Sequence, residues 1–163
     1  MAMKRVRAAV VASGLLATGA LAASVVNTEA QQPGPPTGTL QLGQRDRDTT
    51  FRFIDVPPRQ GERRGPTPGD GALITGAVRD QAGKRAGRLQ ATFVLTNIKR
   101  EEAEVSATFL LSGGRIMASG ADTKAAVDDF AVTGGTGRYA GARGTVTVTE
   151  HRRSTTFFFN FMG

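Results

Sequence analysis

The chain has 163 residues, with 21 lysines and arginines against 14 aspartates and glutamates, no cysteine and a single histidine. That length suits one domain rather than two. The missing cysteines exclude disulfides, zinc–thiolate sites and thiol nucleophiles, and His151 alone cannot build a histidine-rich metal cluster.

In chain order, MAMKRVRAAVVASGLLATGALAASVVNTEA comes first. It has a basic head at Lys4, Arg5 and Arg7, then an uncharged Ala/Val/Leu/Gly run from Ala8 to Val26. This is the layout of a secretory signal peptide, with small-residue cut sites ending at Ala22 and Ala30. An uncleaved membrane anchor is the alternative, since the run just reaches the length of a bilayer span, but its many Ala, Gly, Ser and Thr residues make it weakly apolar. Ala30 is the preferred cut because QQPGPPTG follows it and reads as a linker. The expected organisation is a signal peptide over 1–30, a Pro/Gly-rich linker over 31–38 and one domain over 39–163, secreted and free of the membrane after cleavage. Cleavage removes Lys4, Arg5, Arg7 and Glu29, leaving 18 basic and 13 acidic residues. The basic residues are scattered and not interleaved with aromatics, which argues against a nucleic-acid partner.

From Thr39 onward apolar and polar residues alternate. Leu89, Ala91, Phe93 and Leu95 share one face of RLQATFVLTN, with Gln90, Thr92 and Thr96 on the other. AEVSATFLLS and GTVTVTEH repeat the pattern, which marks strands with one buried face. Candidate strands fall at about 39–45, 49–56, 71–79, 86–97, 103–112, 114–121, 127–133, 143–151 and 154–162. DQAGKRAG and SGG read as hairpin connections. No segment has sustained helical spacing, and DTKAAVDDF is too short to cross a sheet. About eight strands at short spacing predict an all-β sandwich or barrel, and a closed barrel would remove exposed edges.

Two segments depart from the pattern. PPRQGERRGPTPGDG, from Pro57 to Gly71, is a long charged connection. The last strand, TTFFFNFMG, is apolar on both faces, which points to a second cover for Phe157–Met162: another subunit or the N-terminal segment.

VTGGTGRYAGARGTVTV is rich in glycine, but a strand follows it. A phosphate-binding turn requires a helix there, so the glycines serve the chain's own turns and close packing. Tyr139 is expected over the end of the barrel.

AVTGGTGRYAGARG resembles the late hallmark of the allene oxide cyclase and dirigent barrel families. GDGALITGAVRD, GRLQATFVLTN and the Phe-rich C-terminus follow those families in matching order over about Thr49 to Gly163. The resemblance implies an eight-stranded antiparallel barrel, often a trimer, with an apolar interior for a small hydrophobic molecule. FRFIDVPP lacks the Glu/Asn pair that acts in allene oxide cyclases, and the second-strand Asn of that family falls near Gly76. The dirigent pattern fits better. It places its essential strand-end Asp on Asp55, its Asp before the glycines on Asp129 and its following Arg on Arg143. On this reading Asp55, Asp129 and Arg143 are the candidate catalytic residues, as acid/base or electrostatic aids. Ala91, Phe93, Leu95, Phe109, Met117 and Tyr139 are the candidate ligand-binding residues.

Plain structural roles compete: Asp55 at a strand end in water, Asp129 in a turn-side hydrogen bond, Arg143 in a surface ion pair, the phenylalanines as packing. The sequence implies no metal and no organic cofactor. The function expected is steering the cyclisation or stereochemistry of a small hydrophobic molecule, with a non-catalytic carrier or a filled structural barrel as rivals. A homo-trimer through the Phe157–Met162 strand is the expected assembly.

Overall fold

The computed structural model describes residues 34–57, 65–123 and 125–163, all within the compact unit Gln32–Gly163. The expected signal peptide lies outside the described residues.

Eight strands follow one another: β1 (Gly38–Ile54), β2 (Gly71–Arg79), β3 (Arg85–Asn97), β4 (Glu102–Leu111), β5 (Gly114–Asp122), β6 (Val127–Gly137), β7 (Gly144–His151) and β8 (Ser154–Phe161). Each pairs antiparallel with the next, and β8 pairs back onto β1, so the sheet closes as a barrel. The expected all-β barrel is therefore the observed one, and closure leaves no open edge along the sheet.

The nine candidate strands become eight because 39–45 and 49–56 form one strand, β1, with an irregularity between Gln44 and Thr49. Below that point β1 pairs with β8, from Gly38 opposite Phe161 to Arg45 opposite Ser154. Above it β1 continues along β2, from Thr49 opposite Gly76 to Ile54 opposite Gly71. Arg79 Nε and Nη2 both donate to Asp48 Oδ2, at 3.2 and 3.0 Å, while Arg79 Nη1 donates to the Gly83 carbonyl at 3.1 Å. Thr49 Oγ1 donates to the Arg45 carbonyl at 2.9 Å. These bonds hold the bulge, which bends β1 as bulges do at barrel corners.

The strand order defines two ends. Residues 55–57, 65–70, 98–101, 123, 125–126 and 152–153 lie at the upper end; 80–84, 112–113 and 138–143 lie at the lower end. The lower half is solid. Leu42, Val78, Ile116 and Phe159 are buried there, and the Phe109 ring meets Phe157 and Phe159 edge-on, at centroid distances of 5.0 and 4.9 Å.

The glycine-rich segment closes this lower end. Gly137 takes φ +63°, in the left-handed region, and a Cβ there would strike the Gly113 carbonyl. The turn then lays Tyr139 against Phe161, ring centroids 6.3 Å apart, and buries Ala142. The last strand's alternation resolves the same way: Phe157, Phe159 and Phe161 are buried, while Phe158 and Met162 are exposed.

Candidate ligand-binding site

Strand register makes the upper half hollow. Side chains that face the axis line up in rows across β2, β3, β4 and β5. Gly76, Leu89, Phe109 and Ile116 make the lowest of these rows. The next row up is Ile74, Ala91, Ala107 and Ala118. Above it come Ala72, Phe93, Val105 and Gly120. Three alanines side by side leave space that the bulkier row below fills. The result is a cavity of about 400 Å³, within the usual range for small-molecule pockets. Phe109 and Phe157 form part of its floor, and Phe93, Phe130, Val146 and Val148 contribute to its walls.

The remaining strands carry polar groups into the same space. Gln44 on β1, Thr155 on β8 and Glu150 on β7 stand opposite one another in register. One step below on β6 and β7, Asp128 pairs with Val148, and Val148 with Phe157. Asp46 and Asp122 line the cavity as well. Thr123 Oγ1 donates to Asp128 Oδ1 at 2.9 Å, which fixes that carboxylate beside the opening. Gln44 is only 5 % exposed, and its Nε2 has no hydrogen-bond partner. The amide lies against Gly76, where a Cβ would collide with Nε2. Among the described residues no group of three or more His, Cys, Asp or Glu side chains is placed to hold a metal ion.

Solved structures share this fold. A pyocyanin demethylase superposes with a TM-score of 0.64 at 22% identity, over 77% of this chain and 100% of that one. The pterocarpan synthase dirigent protein PsPTS1 gives 0.57 at 16% identity, over 77% and 96%. The Diels–Alderase AbmU from Streptomyces koyangensis gives 0.56 at 15% identity, over 76% and 63%. The fold is the barrel that these structures share. No protein-family model matches the chain, and no curated protein matches it in sequence.

The dirigent-type barrel distributes the sequence-predicted residues unevenly. Ala91, Phe93 and Phe109 line the cavity. Leu95 shares their face but sits one step beyond Phe93 toward the upper rim, where its amide donates to the Asp70 carbonyl at 2.7 Å, and it does not line the cavity. Met117 is on the outer face, because Ile116 and Ala118 are its inward neighbours. Tyr139 plugs the lower end.

The three residues carried over as catalytic do not meet in this barrel. Asp55 is exposed just past the end of β1. Asp129 is exposed and accepts a hydrogen bond from Thr147 Oγ1 at 2.6 Å. Arg143 is exposed in the lower turn, where its carbonyl accepts the Met162 amide at 2.9 Å. None of them lines the cavity. Strand parity is the reason for Asp129: Phe130 and Val132 are buried, so Asp128 shares the inward face and Asp129 points away. His151 is likewise exposed, 3.2 Å from Thr156 Oγ1.

Sequence reasoning missed Gln44, Asp128, Glu150 and Thr155. Parity with Phe130 was the available signal for Asp128, and parity with Val146 and Val148 for Glu150. It also missed Asp70. This carboxylate accepts the Thr67 amide at 2.8 Å, the Val56 amide at 2.7 Å and the Thr67 hydroxyl at 3.0 Å. It thereby joins the two ends of the connection beside the opening. The Thr67 and Val56 amides hold its pKa below the ordinary aspartate value.

Proposed function

We propose that the protein is exported and holds a small, largely apolar molecule in its upper cavity, where confinement directs that molecule's cyclisation or stereochemistry. The observation that carries this reading is the roughly 400 Å³ hollow, walled by alanines and phenylalanines above a solid lower core. Holding a flexible molecule in one reactive conformer is worth several kcal/mol of barrier when the site is rigid. A closed barrel with a packed base supplies that rigidity. The similarity in fold to a pterocarpan synthase dirigent protein and a Diels–Alderase supports a cyclisation role. In this reading Asp128 and Glu150 are the carboxylates that polarise the bound molecule or exchange a proton with it, in place of Asp55, Asp129 and Arg143.

A carrier that releases its guest unchanged is the second reading. The exposed positions of Asp55, Asp129 and Arg143 favour it. Native mass spectrometry of the exported protein tests the common ground: a retained hydrophobic molecule is expected, and a chain that remains empty in every preparation would end both readings. Incubation with the released molecule's acyclic precursor then separates them. A director changes the product ratio over the uncatalysed reaction, and a carrier leaves it unchanged. The same spectra read assembly, for which we propose a trimer whose contacts include the exposed Phe158 and Met162.

A further inference from the structure

Polar side chains occupy one side of the cavity wall. Gln44, Asp46, Thr49, Asp128, Glu150 and Thr155 come from β1, β6, β7 and β8, whereas β2, β3 and β4 present only apolar side chains to it. Three of the six are carboxylates, and Asp122 from β5 lines the same opening. No lysine or arginine among the described residues lines the cavity. The ion pairs Arg79–Asp48 and Arg100–Glu102 involve none of Asp46, Asp128 and Glu150. Arg45, Arg47, Arg152 and Arg153 are at this end and exposed, and so are Asp46 and Glu150, but only the carboxylates line the cavity, with Asp128 half-buried. Apolar walls screen charge far less than salt and water do and focus the carboxylate field into the hollow.

Gln44 is an independent sign of a ligand. Its side chain is almost wholly buried, lines the cavity and leaves Nε2 without an acceptor. A buried N–H without a partner is unfavourable, and a guest that brings an acceptor removes that penalty. Across from it the alanine row of Ala91, Ala107 and Ala118 offers a low wall, and the rings of Phe93, Phe109, Phe130 and Phe157 surround the space. Aromatic faces favour a flat guest and attract positive charge.

Resting on the binding reading above, we propose that the cavity selects a flat aromatic cation that brings an oxygen or nitrogen acceptor to Gln44 Nε2 and turns its positive charge toward Asp46, Asp128 and Glu150. Neutral molecules of the same shape bind more weakly, and anions bind weakest.

Three tricyclic fluorophores of one size test the charge preference on the full chain: neutral acridine at mildly alkaline pH, permanently charged N-methylacridinium, and acridine-9-carboxylate. N-methylacridinium is expected to bind about tenfold more tightly than acridine at low salt, and the carboxylate least of all. Added salt and the double substitution Asp128→Asn, Glu150→Gln are both expected to narrow the gap. Neutral 10-methylacridone reads Gln44: its affinity is expected to fall about fivefold in Gln44→Leu, while that of N-methylacridinium holds.

Equal affinity for acridine and N-methylacridinium in the unmodified protein would overturn the charge preference and leave the binding reading standing. A gap that survives the double substitution would also overturn it, and so would unchanged 10-methylacridone binding in Gln44→Leu for the acceptor. If none of the probes binds, the proposal falls together with the cavity's role. The comparison within the unmodified protein decides the charge question even if a variant does not fold.

Discussion

Asp128 and Asp129 are neighbours with opposite fates, one facing the hollow and the other bonded to Thr147 on the outside. The dirigent resemblance pointed to Asp129, but the apolar parity of Phe130 and Val132 already pointed to Asp128. A motif fixes position along the chain, while the strand's period of two fixes the face. Asp70 was not legible at all, because its role depends on Val56, fourteen residues earlier in the chain, lying beside it. Its depressed pKa has a definite consequence. The folded value lies below the unfolded one, so Asp70's contribution is complete above the ordinary aspartate pKa of 3.8 and is lost as pH falls through the lower folded value. Asp70→Asn is expected to lower the melting temperature at neutral pH and to flatten its decline in acid. Thermal melts across the acid range check this. An acid decline identical to that of the unmodified protein would remove Asp70 from the account.

Among the elements, β1 is the one the sequence divided. The alternation slips between Gln44 and Thr49, and a slipped period reads as two strands with a turn between them. The structure makes it a single bulged strand that pairs with β8 below and β2 above, with Asp48 and Arg79 holding the bend. That bend sets Gln44 over Gly76, the one position in its row without a side chain. Gly76→Ala would put a methyl group into Gln44 Nε2 and the Asp48 carbonyl. It is expected to lower unfolding free energy by about 1–3 kcal/mol, as overpacking does. Urea titration measures it, and a neutral result would mean that the bulge relaxes freely. β8 is apolar on both faces, and within one chain its Phe157, Phe159 and Phe161 face is buried while Phe158 and Met162 lie on the surface.

For the whole molecule, the barrel was legible because alternation, hairpin turns and the absence of helical spacing agree at every step. The hollow was legible only in part. Phe93 and Phe109 announce an apolar face, but whether that face is filled depends on Ala91, Ala107 and Ala118 falling into one row. That follows from hairpin register rather than from any one strand. Ala107→Phe places a ring in the space and is expected to abolish uptake of acridine-type probes while circular dichroism and barrel assembly stay unchanged. Full uptake by a folded Ala107→Phe protein would locate binding elsewhere. The base of the barrel has a kinetic corollary. Phe159, Phe161 and Tyr139 seal it from beneath, so a guest admitted at the rim has to back out along the route by which it arrived. Nothing arriving can push an occupant through from behind, so in the proposed role the rate of exchange is set by how fast the well empties.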